Sequence, residues 1–409
     1  MEFDVIIIGA STAGLHAARL LAEQGSRVAV YERRPDHNTE RRTLIVTRAL
    51  RKALGEIPEK ATLHRIKTMG VASSQKEITV HLQDPDPIVE RAALTDLLTQ
   101  NAVKAGAQIF YGRRFKGFSE ISTGHGKNAI DVSFRYSKVD HSKKKGTQQI
   151  ERALATQAII GADGVLSDVA VASDIARPPA VPLIQAECPL PSNWNPDECK
   201  VWFDLDKTKY FYWLIPESSS VCVAGLIGEK GLPVRLLLDD FLDRMGLEPS
   251  AWQSSQVALH HPRLKPWSSI GDVPVYLIGD AAGQVKVTTV GGTVTGFEGA
   301  EAACRAILNG TSYRRELRIL KRELDLHWWI RWALEGLDNK GFDKLIRAIS
   351  KGSQSFLSKY DRDSMVPVFW KLLFVEPGLV PIGIRCLFGR ISKGNRQLRK
   401  LPEDLPEDT

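Results

Sequence analysis

Val275-Tyr276-Leu277-Ile278-Gly279-Asp280-Ala281-Ala282-Gly283 is the stretch on which the fold turns. It is an apolar run that stops at Gly-Asp, and Thr288-Thr289-Val290-Gly291-Gly292 then leads into the small-residue segment Gly296-Phe297-Glu298-Gly299-Ala300. A strand that ends this way and yields to a glycine-rich helix start forms a cradle for phosphate and ribityl groups. A second such element lies about 270 residues earlier. There Phe3 to Ile8 read as a near-continuous apolar strand, Gly9 to Gly14 as a turn, and Leu15 to Gly25 as a helix with apolar residues three and four apart. The chain returns through Arg27-Val28-Ala29-Val30-Tyr31-Glu32, so Glu32 closes a βαβ unit about twenty residues past the glycines, where a carboxylate accepts both ribose hydroxyls of an adenosine. Ser11 replaces the usual middle glycine, giving G-x-S-x-x-G. An ordinary strand-turn-helix without ligand is the competing reading of the first element alone. One extended cofactor gripped from both ends of the chain points to FAD rather than NAD.

Composition is that of a packed enzyme. The 409 residues, 43% hydrophobic and 25% charged, are ample for two or three domains. The first apolar stretch is a strand followed at once by a glycine turn, so no signal peptide is expected, and no run approaches the eighteen or so apolar residues of a membrane span. Five scattered cysteines, without CxxC or paired Cys/His spacing, indicate neither a metal site nor a disulfide framework. A reducing cytoplasm is therefore the expected compartment.

The net charge of +7 is modest. Lysines cluster at 138–146, read as a solvated loop between two strands, and residues 390–400 are basic again before a tail of repeated Leu-Pro-Glu-Asp. No RNA- or DNA-binding module accompanies these charges, so nucleic acid is not an expected partner. The basic carboxyl-terminal cluster follows the apolar stretch 374–391, which reads either as a peripheral contact with an anionic membrane surface or as a helical subdomain with a charged outer face.

Between the two glycine elements, residues 87–112 give a segment carrying Arg91, an amphipathic helix, and a strand after Gly106. Arg91 points either at flavin and pyrophosphate or at solvent. Two strands of alternating polarity follow, the second ending in Gly161-Ala162-Asp163-Gly164, which sets a carboxylate and a flexible turn at the edge of the nucleotide site. Further on, Phe211, Trp213 and Ile215 share one face of a strand, with Tyr210, Tyr212 and Leu214 on the other. One face is expected to wall a water-excluding pocket over flavin and substrate, and Trp202 and Phe203 to extend it; the plain alternative is the core of a mixed sheet. Leu324, His327, Trp328, Arg331 and Trp332 fall at helical spacing, with Phe342, Phe356, Phe369 and Trp370 beyond them. Core packing or a greasy channel both suit such a stripe. His260 and His261 are expected to be structural or at the surface, since neighbours in a strand face opposite ways.

In this order, the motifs of residues 4–14 with Glu32, 161–169 and 279–292 resemble the superfamily of aromatic-hydroxylase-like flavoproteins, and the last motif resembles its geranylgeranyl reductase branch. The resemblance covers residues 1–310. It implies an α/β fold with a Rossmann-like FAD-binding domain (1–66, 87–175 and 265–310), a mixed β-sheet substrate domain (67–86 and 176–264) and a carboxyl-terminal helical region (311–409). Position by position it implies that Gly9, Ser11, Thr12, Ala13, Gly14, Glu32 and Arg33 hold the ADP half. Asp163 and Gly164 would support the pyrophosphate, and Gly279, Asp280 and Gly283 would meet the ribitol. Gly291 and Gly292 would let the isoalloxazine lie against backbone. The branch commonly carries Cys-Gly after the first acidic residue, but this chain has no cysteine in 37–47, so Arg42 is expected to contact the flavin together with Arg91. Ala170 stands where the superfamily usually has an arginine. Phe211-x-Trp213-x-Ile215-Pro216 is similar both to the reductase Tyr-x-Trp-x-Phe-Pro and to the halogenase Trp-x-Trp-x-Ile-Pro.

The resemblance implies reduction of carbon-carbon double bonds in a prenyl chain on a lipid or quinone, with Phe211, Trp213, Ile215 and Trp202 against the substrate. A flavin monooxygenase or halogenase, and a lipid-binding flavoprotein without turnover, are the alternatives. No second G-x-G-x-x-G domain is present, so the electron donor is expected to visit transiently, as NADPH or a ferredoxin-like protein. No residue identifies itself as the proton donor.

Overall fold

The protein is seen in a computed structural model that describes residues 1–37, 40–123, 127–138 and 147–349, with the isolated positions 371, 376 and 381. Two eight-stranded sheets carry it. In the first, strands run in the order Trp267–Ile270, Val273–Leu277, Thr147–Gly161, Glu2–Ile8, Val28–Tyr31, Gln108–Phe110. A hairpin, Arg114–Thr123 and Lys127–Lys138, joins through the outer half of Thr147–Gly161. Glu2–Ile8 lies between two parallel neighbours, with Ile8 opposite both Tyr31 and Gly161. A central parallel strand is buried on both faces, which is why Val5 to Ile8 is uniformly apolar rather than alternating. Val5 and Ile7 pack with the helices on one face, and Ile6 and Ile8 with Tyr31, Phe134 and Val275 on the other.

Helix Thr12–Glu23 starts where the first strand ends, capped by Ser11, whose Oγ accepts from the Gly14 amide at 3.1 Å. Beside it pack helices Arg91–Lys104 and Thr293–Asn309, joined by small residues: Ala17 and Ala18 on one side, Ala303 and Cys304 on the other. Glu90 ends its strand and caps the helix that follows, accepting from the amides of Ala92 and Ala93 at 2.9 and 2.7 Å.

The second sheet runs Ala251–Ala258, Ala180–Pro189, Val221–Ile227, Tyr212–Pro216, Glu198–Trp202, Thr62–Ala72, Glu77–Glu90, Thr43–Ile45. Its pairs are antiparallel apart from Glu198–Trp202 with Thr62–Ala72. Residues 43–45, 62–66 and 87–90, grouped with the nucleotide-binding part in the sequence reading, hydrogen-bond within this sheet, because the two long strands of the 62–90 hairpin run unbroken into it. Tyr212 and Leu214 face helix Val234–Met245 through Phe241 and Leu238, so Phe211, Trp213 and Ile215 turn the other way.

Beneath that second face lies helix Arg318–Leu334, whose Trp328 and Trp332 join the cluster of Phe211 and Trp213. Trp328, Trp332 and Phe342 of the aromatic stripe are thus core. Helix Asn339–Ala348 is pinned by Asp343, which accepts from Ser73 Oγ at 2.5 Å and from the Gln75 amide at 3.2 Å. Among the described residues no helix is long and apolar enough to cross a membrane. The lysine cluster after residue 138, Phe356, Phe369, Trp370 and the stretches 374–391 and 390–400 lie outside the described residues, apart from the isolated positions named above.

Candidate functional site

The two glycine elements meet in space. Ala13 Cβ, in the first turn of helix Thr12–Glu23, lies against both Gly279 and Gly296, at distances that would be 3.5 and 3.6 Å from a Cβ built on each. Gly9 has φ +103°, and a Cβ there would fall 2.6 Å from the Ala162 carbonyl carbon and 2.9 Å from Asp163 Cα. Only glycine lets the three strand ends Ile8, Gly161 and Leu277 deliver their turns to one place. Gln284 fixes the third turn from within, its Oε1 accepting from the Gly279 amide at 2.7 Å and its Nε2 donating to Tyr313 Oη at 3.1 Å.

A cavity of about 1140 Å³ opens above these turns. It exceeds the roughly 300–1,000 Å³ of ordinary single-ligand pockets, so it has room for more than one occupant. Gly9, Ser11, Thr12, Ala13, Glu32, Arg33, Arg42, Arg91, Asp163, Gly164, Gly279, Asp280, Gly291 and Gly292 all line it. Gly14 and Gly283 do not: Gly14 is packed under the turn, where an added Cβ would strike the Gly9 carbonyl oxygen, and Gly283 terminates the turn Gly279–Ala282 at φ +64°, packed on Leu264.

Charge is distributed along one side of the cavity. Glu32 Oε2 accepts from the Ala10 amide at 2.7 Å, and its Oε1 accepts from the Arg34 amide at 2.9 Å and faces Arg34 Nε at 3.2 Å. The carboxylate thereby locks the turn and keeps lone pairs for a hydroxyl partner. Asp163 Oδ2 accepts from the Asp168 and Val169 amides at 2.8 and 3.2 Å, while Oδ1 is buried with no protein partner. Burial pushes the Asp163 carboxyl above its ordinary range, against the pull of its hydrogen bonds. Asp280 is likewise pushed up by burial and pulled back by Arg42 and Arg91. Arg91 Nε is buried without a protein partner, and its Nη2 donates to the Glu40 carbonyl at 3.3 Å. Helix Thr12–Glu23 adds the positive end of its dipole at the same turn.

The opposite wall comes from the second sheet. Phe211, Trp213 and Ile215 line the cavity together with Phe203, Val201 and Ile227. Phe203 and Phe211 are 5.8 Å apart by ring centroid, and Phe211 and Trp213 meet edge-on at 6.1 Å. Trp202 is not part of this wall. Its neighbours Val201 and Phe203 point inward, so strand alternation sends Trp202 outward, opposite Tyr212 and 5.3 Å from the Phe241 ring. Tyr210, assigned by alternation to the face of Tyr212, instead precedes the strand and lies under the Arg331 guanidinium at 4.0 Å.

His260 and His261 are both buried, which leaves the structural half of their expected roles. His260 Nε2 meets Asp325 Oδ1 at 2.7 Å, and His261 lies edge-on to Trp328 at 5.4 Å. Lys286, Thr288 and Arg34 also line the cavity, and no role follows for them from the sequence. Lys286 stands out in hindsight as a lysine within an otherwise small and apolar turn. Thr288 gives no such signal, because its partner, His327, is 39 residues away in the chain.

The residues present fit FAD: a backbone cradle closed to any Cβ at Gly9, a helix amino terminus, and two buried polar atoms, Asp163 Oδ1 and Arg91 Nε, left for a ligand. Fold and site together define an FAD-binding flavoprotein of the aromatic-hydroxylase type, an FAD-dependent oxidoreductase. Residues 2–188 match the FAD binding domain family model. Digeranylgeranylglycerophospholipid reductase 2 of Methanothermobacter thermautotrophicus is 26% identical over 388 residues, 88% of this chain and 94% of that protein. A geranylgeranyl bacteriochlorophyll reductase-like protein of Thermoplasma acidophilum superposes with a TM-score of 0.73 at 19% identity, covering 92% of this chain and 96% of the other. The flavin-dependent brominase Bmp2 superposes with a TM-score of 0.61 at 16% identity, over 95% and 94% of the two chains. The chain thus carries an FAD-binding domain and is similar in sequence and fold to geranylgeranyl reductases.

Proposed function

We propose that this enzyme saturates carbon-carbon double bonds in a prenyl chain carried by a lipid or quinone. The observation that carries the reading is the composition of the cavity: a charged, glycine-rich side and, facing it, a sheet wall of Phe203, Phe211, Trp213, Ile215, Ile227 and Val201 with no charged residue among them. The names of the relatives support the same substrate class.

When bound, reduced FAD supplies a hydride, and alkene reduction adds a proton at the neighbouring carbon. In this reading Gly9, Ser11, Thr12 and Ala13 take the pyrophosphate on backbone amides, with Gly14 shaping the turn. Glu32 accepts the adenosine ribose hydroxyls, with Arg33 beside it. Asp163 and Gly164 border the pyrophosphate, Asp280 meets the ribitol, and Gly291 and Gly292 give the ring system a flat backbone bed. Arg42 and Arg91 oppose the burial that raises the Asp280 carboxyl, and offer donors to the flavin's polar edge. The aromatic wall excludes water and stabilises positive charge developing on the alkene through the faces of Phe211 and Trp213. Electrons arrive from a transient donor, NADPH or a ferredoxin-like protein. The carboxyl-terminal region makes peripheral contact with the membrane that carries the lipid.

The test is single-turnover. Photoreduced holoenzyme is mixed without oxygen with a geranylgeranyl lipid, the flavin spectrum is followed, and the product is weighed by mass spectrometry. Reoxidation with a gain of H2 per bond supports the reading. The Phe211-x-Trp213-x-Ile215-Pro216 strand and the likeness to the brominase favour oxygen-dependent chemistry as the second reading. A long-lived oxygen adduct and an oxygenated or halogenated product on admitting air, with no anaerobic turnover, would select it.

A further inference from the structure

Alkene reduction needs a proton source, and the cavity wall carries a hydroxyl connected to a buried titratable group. Thr288 lies in the loop between the turn Gly279–Ala282 and helix Thr293–Asn309, half-buried and lining the cavity. Its Oγ1 is 2.5 Å from His327 Nδ1. His327, on helix Arg318–Leu334, is 1% exposed. Its Nε2 makes no hydrogen bond and faces Glu323 Oε1 at 3.6 Å, one helical turn earlier. Hydroxyl, imidazole and carboxylate therefore run in series from the cavity wall into the core. Filling this space alone would be done better by an apolar side chain, since burying an imidazole with one nitrogen unsatisfied is costly.

We propose that Thr288, His327 and Glu323 form the proton relay of the reduction, with Thr288 the catalytic residue and His327 and Glu323 the positioning residues behind it. The inference rests on the prenyl-reductase reading. The working form is the imidazolium, Nδ1–H directed to Thr288 Oγ1 and Nε2–H to Glu323. The alkene π pair forms a C–H bond to the Thr288 hydroxyl proton as that O–H bond breaks. Oγ1 takes the Nδ1 proton in the same motion, leaving His327 neutral. Bound reduced flavin would supply the hydride, with its electron pair, for the other carbon, so the substrate gains one proton and one hydride. His327 regains its proton from solvent after product leaves.

The surroundings set the pH response. Glu323 and Arg331 flank His327 on its own helix, Lys286 and Thr288 face it from the loop, and His260 from the segment after strand Ala251–Ala258. Arg331 is engaged elsewhere, with Glu335 Oε1 at 3.1 Å and the Lys209 carbonyl at 2.6 Å. Burial lowers the His327 pKa below its ordinary value, Glu323 raises it, and Lys286 and His260 lower it further. A lowered value makes the imidazolium a stronger acid, populated on the acid side of the ordinary histidine range. Turnover should therefore fall as pH rises through that value.

The experiment compares wild type with Thr288→Val, which keeps the shape and removes the hydroxyl, with Thr288→Ser, which restores it, and with His327→Gln. Reduced holoenzyme and a geranylgeranyl lipid give single-turnover rates across pH, at saturating lipid, in H2O and D2O. Loss of general acid catalysis is worth about 10²–10⁴-fold. Thr288→Val and His327→Gln should lose on the order of 10²-fold or more, with the pH dependence and solvent isotope effect abolished and FAD content unchanged. Thr288→Ser should recover both. Without turnover, nitrogen NMR of labelled histidine in the apoprotein should show the His327 resonances, assigned by their absence in His327→Gln, moving in Thr288→Val. Should His327→Gln fail to fold, Thr288→Val on the cavity wall decides alone. An unchanged rate and pH profile in Thr288→Val overturns the relay and leaves the reductase reading standing. A wild type that no prenyl lipid reoxidises overturns the reductase reading, and the relay falls with it.

Discussion

Gly225 lies directly across the strand pair from Trp213, and the indole rests on it. A Cβ built at Gly225 would fall 2.7 Å from Trp213 Cε2, closer still to Cζ2, and 2.7 Å from the Ile184 carbonyl oxygen. The backbone oxygen cannot retreat, because strand Ala180–Pro189 is paired on both sides. The indole must therefore yield, by about 0.7 Å or more to reach the 3.4 Å of ordinary contact, and the free direction is into the cavity. Gly225 is not at positive φ, so Gly225→Ala would otherwise stabilise by about 0.4–1 kcal/mol through the unfolded state. Against this, overpacking costs about 1–3 kcal/mol and a tilted side chain a further ~0.5–1.5 kcal/mol. The clash wins, for a net loss of roughly 1–3 kcal/mol. Trp213→Phe removes the indole atoms struck but leaves the Ile184 carbonyl oxygen, so in that background the substitution should cost less without becoming neutral, with a coupling of about 1–2 kcal/mol in the double-mutant cycle. Guanidinium unfolding of the four holoproteins measures it, and the lipid concentration for half-saturation should rise in Gly225→Ala at unchanged FAD content. A Gly225→Ala protein as stable as wild type, or a loss of the same size with and without the Trp213→Phe substitution, would refute the reasoning.

Gly9→Ala should yield protein without bound flavin, since φ +103° and the Ala162 backbone both exclude the methyl group; stoichiometric flavin absorbance in the purified variant would contradict the cradle. Asp325 is pushed up by burial but brought below its ordinary value of 3.8 by hydrogen bonds from His260 and Lys321. A depressed carboxylate stabilises above its unfolded pKa and loses that stabilisation as pH falls through the folded one. Asp325→Asn should thus cost about 1–3 kcal/mol at neutral pH, a gap that unfolding midpoints should show closing below about pH 4. Burial pushes the thiols of Cys188 up to about 11 and of Cys222 and Cys304 up to about 12. Iodoacetamide at mildly alkaline pH should spare these three in the native protein and modify them after unfolding, as read by peptide mass spectrometry; rapid native labelling would show that the core around the labelled thiol opens.

What could be read from the sequence was local. Val5 to Ile8 announce a central parallel strand because both faces are covered, and Gly9, Glu32 and the Gly279-Asp280 pair sit at fixed offsets from strand ends. Trp202 shows a local rule applied too loosely: Val201 and Phe203 face the cavity, and a period of two then sends the residue between them outward. The approach of Arg42 and Arg91 to Asp280 needs three distant segments to converge. No spacing rule reaches that far. The Thr288–His327 contact is harder still, because it joins a cofactor-side loop to a helix whose aromatic residues already explain its burial.

That loop also carries a strained residue of the cavity wall. Val290 has φ +51°, a region that costs a β-branched side chain about 1–3 kcal/mol. Something must over-determine the conformation. The Lys286 amide donates to the Gly291 carbonyl at 3.0 Å, closing the loop across Val290, and the Val290 side chain packs on the clusters of Trp213 and Val257. This closure holds the loop that places Thr288 beside His327 and presents Gly291 and Gly292 to the cavity. A relaxed glycine at 290 would let these two presentations move independently. In the proposed reaction, this strain ties the backbone at Gly291 and Gly292 to the Thr288 hydroxyl, the arrangement required when hydride and proton must reach neighbouring carbons of one bond.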